Sequence, residues 1–276
     1  MNILITGGFG LIGRSLVSEL SNNNNFNIFL ISRNIKPENT ATNIVTIHHD
    51  LLAPIPVEKI PKDINVVIHL AAIAHKTSSE IMRINCLMTK NITDAFLNKK
   101  VKFIFFSSVA VYGEANRLFP IKISDFCKPY SSYGLGKLKD EEIISSSFKD
   151  FIILRLCPVI EGDDTDLLKR VYLPKTKIKY KSSYNRAYSF LSHRTIFKSI
   201  NSIIHENEIT NKIINLKDPS NYYESDILNK YEGKEIKIPF IISEPIFFIL
   251  NIFSFIPNIY TINCLLTKML KSNTYE

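Results

Sequence analysis

Paired cysteines are missing from this chain of 276 residues. Cys86, Cys127, Cys157 and Cys264 stand far apart, with no C-x-x-C spacing among them. That excludes a disulfide framework or a thiolate zinc site as the organising device, and no metal is expected. Also missing is any block of like charge. The formal net charge is +8, but the lysines are scattered, so nucleic acid is not an expected partner and an anionic small substrate suits better. No basic segment with an apolar core precedes the opening Asn2-Ile3-Leu4-Ile5, so the expectation is no cleaved secretion signal and a cytoplasmic location. No internal repeat is visible, and low complexity is confined to the four asparagines at 22–25.

Charge is also absent from residues 245–267, PIFFILNIFSFIPNIYTINCLLT. The stretch is long enough to cross a bilayer. Its interior argues against that, because Pro257 interrupts it, and Asn251, Asn258 and Asn263 would each take an amide into hydrocarbon. The reading is two short buried helices around Pro257, with peripheral membrane contact as the alternative.

What the chain does have is 45% hydrophobic residues, arranged as short apolar runs at 3–5, 27–31, 44–47, 66–70, 101–106 and 151–156. Runs without alternation suit strands buried on both faces. Helical patterns at 11–20 and 79–97 separate them, which predicts an α/β, Rossmann-type, doubly wound parallel sheet. After Leu156 the segments become rich in Lys, Tyr and Pro. The expected division is a dinucleotide-binding domain at 1–157, with 187–205 returning to it, and a smaller substrate lobe at 158–276.

The chemistry begins at TGGFGLIG, Thr6 to Gly13. Gly8, Gly10 and Gly13 fit G-x-G-x-x-G, while Gly7, Gly10 and Gly13 fit T-G-x-x-G-x-x-G. Either spacing turns a strand sharply into a helix that begins near Leu11 and Ile12, whose free N–H groups can hold a pyrophosphate. The second strand ends in IFLISRN, where an acidic residue would accept from an NAD ribose hydroxyl. Ser32 and Arg33 stand there instead, and a guanidinium at that place pairs with a 2′-phosphate, so NADP is expected, with NAD the alternative. In YSSYGLGKLKDEE, Tyr133 and Lys137 lie four apart on one helical face. A nearby ammonium and a positive nicotinamide ring would lower the phenol and make Tyr133 a proton-exchanging group. FFSSVAVYG puts Ser107 and Ser108 at the carboxyl edge of the sheet, where ligands bind in open α/β folds.

Taken in order, these motifs resemble the extended short-chain dehydrogenase/reductases, the group that works on nucleotide sugars. The resemblance rests on T-G-x-x-G-x-x-G, Asp50-Leu51, HLAA at 69–72, Asn85, SSVAVYG and the Tyr133/Lys137 pair, and it favours the Gly7 reading of the turn. It implies that Asp50 bonds the adenine and that Ala71 and Ala72 line the cofactor channel. Leu51 and Asn85 join the cofactor set. Lys137 would hold the nicotinamide ribose while tuning Tyr133, and Ser108 would be the catalytic serine, with Ser107 as runner-up. RLCPVIEG, with Pro158, is similar to the family's sixth strand and the turn past the nicotinamide. NRAYSFLSHRTIFKSI is similar to the segment that aims an arginine, here Arg186, at the sugar-nucleotide diphosphate.

The implied function is NADPH-dependent 4-keto reduction of a UDP- or dTDP-hexose in bacterial surface-polysaccharide synthesis. The alternatives are an NAD-dependent 4-epimerase and, in another class, a non-catalytic dinucleotide sensor. Relatives often pair through the helices corresponding to 79–97 and 131–148, so a homodimer is the expected assembly.

Overall fold

A computed structural model of the chain describes residues 1–34, 41–73, 79–114, 119–160, 171, 178–181, 185–206, 211–230, 232–237 and 240–276. The apolar runs form β1 (Asn2–Thr6), β2 (Asn27–Ser32), β3 (Ile44–His48), β4 (Val66–His69), β5 (Lys102–Ser108) and β6 (Phe151–Leu156). Every residue of β4 and β6 is buried, as expected of strands covered on both faces. Between them lie α1 (Leu11–Ser21), α2 (Ser79–Phe96) and α3 (Ser132–Ser147).

Two short strands, β7 (Val159–Ile160) and β8 (Ile178–Lys181), follow, then β9 (Ala187–Tyr188), β10 (Leu191–Ser192), α4 (His193–His205) and β11 (Lys212–Leu216). The chain ends with β12 (Tyr222–Tyr223), α5 (Glu224–Lys230), β13 (Lys234–Lys237), α6 (Phe240–Ile252) and α7 (Pro257–Leu270).

The main sheet is a doubly wound Rossmann-type sheet of seven strands in the order β11-β6-β5-β4-β1-β2-β3. β1 pairs in parallel with β2 on one side and with β4 on the other. The strand order reverses at β1, and in open α/β sheets the crevice beyond the strand ends at such a reversal is where ligands bind. A core of Leu4, Val67, Phe103, Phe105 and Ile153 packs with Ile92 and Phe96 of α2 and with Ile144 and Phe148 at α3.

Two compact units divide the chain. The first is Met1–Val111, Ser132–Arg155 and His193–Ile214; the second is Tyr112–Ser131, Leu156–Ser192 and Asn215–Glu276. The segment that returns to the first unit thus starts at His193, where α4 packs on α1, and Tyr112–Ser131 leaves it. In the second unit β9 pairs antiparallel with β12, and Tyr188, Phe190, Ile227 and Leu228 form a separate core.

Pro257 does separate two helices, as the sequence suggests, with the proline at the first helical position of α7. They are not buried on all sides, however. Asn263 Nδ2 donates to Asn251 Oδ1 at 2.6 Å between them, while Phe248 and Phe255 are 68% and 77% exposed. Among the described residues no helix is long and apolar enough to cross a membrane.

Candidate active site

The turn after β1 decides which glycine pattern the chain uses. Gly7 has φ +74°, and a Cβ there would sit 2.7 Å from the backbone nitrogen of Ala71. A Cβ on Gly13 would sit 2.2 Å from the carbonyl oxygen of Gly7. Both obstacles are backbone, so only glycine fits at either place. Gly8 is less constrained, since its added Cβ would first meet a side-chain methyl of Leu30. The turn is closed by Gly10 N–H donating to Gly7 O at 2.9 Å. Leu11 and Ile12 then open α1, whose first turn carries no acidic residue, leaving its free N–H groups and positive end for an anion.

A cleft of about 320 Å³ opens at this turn. Gly7 and Gly10 line it together with Ser32, Arg33, Asp50, Leu51, Ala71 and Ala72. Residues from the ends of β1, β2, β3 and β4 are thus brought to one place. These features fit a dinucleotide: a glycine-only turn at a helix N-terminus for the pyrophosphate, and a polar strand end for the ribose. Asp50 Oδ1 also accepts from Leu52 N–H at 3.0 Å, which orients its carboxylate.

Other expected cofactor residues sit beside the cleft rather than on it. Gly13 supports the turn from beneath. Asn85 is buried and spends its amide on one neighbour, accepting from Ile73 N–H at 2.9 Å and donating to Ile73 O at 3.2 Å. It therefore pins the loop that follows β4. Those bonds fix the orientation of the Asn85 amide.

His69, noticed in the sequence only as part of a motif, anchors the same region. Thr6 Oγ1 accepts from Ala71 N–H at 3.3 Å and lies 2.6 Å from His69 Nδ1. Nε2 lies 3.1 Å from Thr89 Oγ1, so a neutral ring donates to one threonine and accepts from the other. Burial, with a smaller contribution from the Lys137 ammonium, holds the His69 pKa down at about 3. The ring is neutral and stacks 5.7 Å from Phe105. A histidine inside an apolar strand gives no sequence signal for such a relay beyond its position at the strand end.

Ser108, Tyr133 and Lys137 all belong to the first unit. Ser108 Oγ accepts from Ala110 N–H at 3.2 Å, and its hydroxyl is near enough to Tyr133 to act on the phenol. Burial raises the Tyr133 pKa, the Ser108 hydroxyl opposes the rise, and the Asp140 carboxylate adds to it. The lowering expected from Lys137 is not among these causes. Its ammonium is buried, donates to Phe106 O at 2.7 Å and lies 4.5 Å over the Phe105 ring. Burial lowers the Lys137 pKa, while Asp140 and Glu141 raise it, so nearby carboxylates absorb its charge. Ser107 is engaged elsewhere, donating to Glu141 Oε1 at 2.5 Å. Of the two serines, Ser108 is the one that acts on the tyrosine.

The second unit holds the remaining two expected site residues. Pro158 O accepts from Leu191 N–H at 3.0 Å; Glu161 and Gly162, the end of its motif, lie outside the described residues. Arg186 departs from its expected role. It is wholly buried, paired with Glu224 Oε1 through Nε and Nη2, and lies 5.0 Å over Tyr180. A guanidinium matched by a carboxylate and packed on an aromatic ring is a fastener within its own unit, not a free cation for a diphosphate.

The model of the NAD dependent epimerase/dehydratase family matches residues 3–166, more than half of the 276. The chain belongs to that family. Over 157 residues it is 35% identical to a Methanocaldococcus jannaschii protein provisionally named UDP-glucose 4-epimerase, covering 51% of this chain and 49% of that one. Over 173 residues it is 31% identical to the D-erythronate dehydrogenase of Haemophilus influenzae, covering 56% and 54%. The chain spans about half the length of the curated relatives it matches.

Among solved structures, the UDP-glucuronic acid 4-epimerase of Bacillus cereus in complex with NAD is similar with a TM-score of 0.69. The identity is 21%, over 87% of both chains, so this likeness is one of fold.

Proposed function

We propose that the chain binds a nicotinamide dinucleotide at the Gly7 turn and acts at C4 of a UDP-linked hexose, as a 4-epimerase. The carrying observation is Ser108 acting on the Tyr133 phenol, with Lys137 one turn on, in a chain of this family. Relatives named as UDP-glucose 4-epimerases support the choice of substrate and reaction.

When bound, the dinucleotide supplies a hydride acceptor and donor. The chain supplies the rest. Tyr133 exchanges a proton with the C4 oxygen: it takes one as the alcohol becomes a ketone and returns one as the ketone becomes an alcohol. Ser108, beside the phenol, holds that oxygen next to it. The α1 N-terminus, with the Leu11 and Ile12 N–H groups, binds the pyrophosphate, and Asp50 meets the adenine.

One observation favours a second reading, NADPH-dependent reduction of a 4-keto sugar. Arg33 lines the cleft beside Ser32, where a 2′-phosphate would be met. The raised Tyr133 pKa also keeps the phenol protonated and ready to donate, as a reduction needs.

Purified chain incubated with NAD and UDP-galactose should form UDP-glucose with no net change in reduced cofactor. Consumption of NADPH with a UDP- or dTDP-4-keto-6-deoxyhexose, and no interconversion of epimers, would replace the first reading by the second. Cofactor binding without turnover of either substrate would leave a sensor. Two further proposals belong to this reading. Pairing of chains through α2 and α3 is checked by light scattering, where a monomer at all concentrations refutes it. Contact of the α6–α7 hairpin with a bilayer is checked by vesicle flotation, where a chain left in the soluble fraction refutes it.

A further inference from the structure

Ser108 and its neighbour Ser107 end the same strand. The Ser108 hydroxyl acts on the Tyr133 phenol of α3, and Ser107 donates to Glu141 Oε1 of the same helix at 2.5 Å. Glu141 lies two turns beyond Tyr133 and one beyond Lys137, on the buried face of the helix. Its carboxylate is held in turn by Arg155 of β6, with Nε 3.1 Å from Oε1 and Nη2 2.7 Å from Oε2. Both charged side chains are almost wholly buried.

A buried ion pair of this kind contributes little net stability compared with an apolar pair of the same size, because desolvation offsets the attraction. What it does supply is direction. The Arg155 fork fixes the carboxylate plane, and the carboxylate then fixes Ser107 against the helix.

We propose that Glu141 is a positioning residue: through Ser107 and Arg155 it locks the end of β5 to α3, and so sets where Ser108 stands against Tyr133. The inference rests on the reading of Ser108 and Tyr133 as the reacting pair. Adjacent residues cannot move independently, so a strand end released at 107 shifts at 108. Misplacement of a reacting group by about 1 Å costs roughly 100-fold in rate, and a partial shift proportionately less.

Replacing Glu141 would leave Arg155 buried and unpaired, so the variant of choice is Ser107→Ala. It keeps the Glu141–Arg155 pair and cuts only the tie to β5. NMR of chains with ring-labelled tyrosine reads the Tyr133 signal, identified by its loss in Tyr133→Phe. In Ser107→Ala that signal should move toward its position in Ser108→Ala, and Ser107→Thr, which restores a hydroxyl, should bring it back. Turnover of UDP-galactose should fall about 10-fold in kcat, with KM within about twofold. A Tyr133 signal unmoved by Ser107→Ala, or not restored by threonine, overturns the proposal. Absence of turnover in the unaltered chain would overturn the epimerase reading instead, and the NMR comparison would still decide the clamp.

Discussion

Acid should destabilise the fold through His69 in a way that can be separated from every other titrating group. The ring is buried between Thr6 and Thr89, with both nitrogens bonded, and its pKa is held down at about 3. In the unfolded chain an ordinary histidine titrates near 6.5. Between those values the unfolded state binds a proton that the native state refuses, so stability falls as pH falls. The loss begins near pH 6.5, grows by about 1.4 kcal/mol per pH unit, amounts to about 2 kcal/mol at pH 5, and levels off near pH 3.

The reference is His69→Gln, which keeps a donor and an acceptor but takes up no proton. Unfolding in urea is followed for both chains from pH 8 to pH 5. The variant is expected to be the less stable at pH 8, and the gap should close by about 2 kcal/mol at pH 5. Carboxylates and the other histidines titrate equally in both and cancel. Parallel curves would mean that His69 is protonated in the native state, and the neutral relay from Thr6 to Thr89 would be wrong.

Other outcomes follow from the site. Tyr133→Phe should lower turnover by about two to four orders of magnitude while dinucleotide affinity, read by calorimetry, stays within a few-fold. Lys137→Met should weaken dinucleotide affinity, since the ribose contact proposed for its ammonium is lost; a change in rate alone would cancel that contact. Gly13→Ala should reduce dinucleotide affinity by more than about 10-fold, because its methyl would collide with Gly7 O and the turn must open; unchanged affinity would dissociate the turn from binding. Arg33→Ala should erase a preference for NADPH over NADH of about 1 to 3 kcal/mol, and equal affinities in the unaltered chain would make Arg33 an ordinary strand-end residue.

The sheet was legible because its strands are buried on both faces, so runs such as Val66–His69 and Phe151–Leu156 carry no polar interruption strong enough to hide them. The Gly7 turn was legible for a related reason: backbone packed against backbone tolerates only hydrogen, and that constraint leaves a mark in composition. Arg186 misled because a sequence shows a charge but not its counter-charge. Glu224 lies 38 residues away, and nothing local announces that the two meet. The tie from Asn85 to the loop after β4 was hidden in the same manner, since its partner is the backbone of Ile73, and a backbone has no letter.

Helix α3 is the hardest case, and the reason lies in its function. A helix that packs on a sheet ordinarily shows an apolar stripe at helical spacing. The buried face of α3 instead carries Gly134, Gly136, Lys137, Asp140 and Glu141, with Ile144 farther along, and that mixture flattens the stripe. Glycines there let α2 approach, as at Gly136, where an added Cβ would be 3.2 Å from Met82. Among these charges, burial lowers the Lys137 pKa. Two carboxylates within one turn oppose that effect. One of them, Glu141, is itself balanced by Arg155, which leaves Asp140 to answer Lys137 most directly. Asp140→Asn should therefore lower the Lys137 pKa further and weaken cofactor binding toward alkaline pH, whereas an unaltered pH profile of affinity would show that the ammonium draws its stability from Phe106 O and the Phe105 ring.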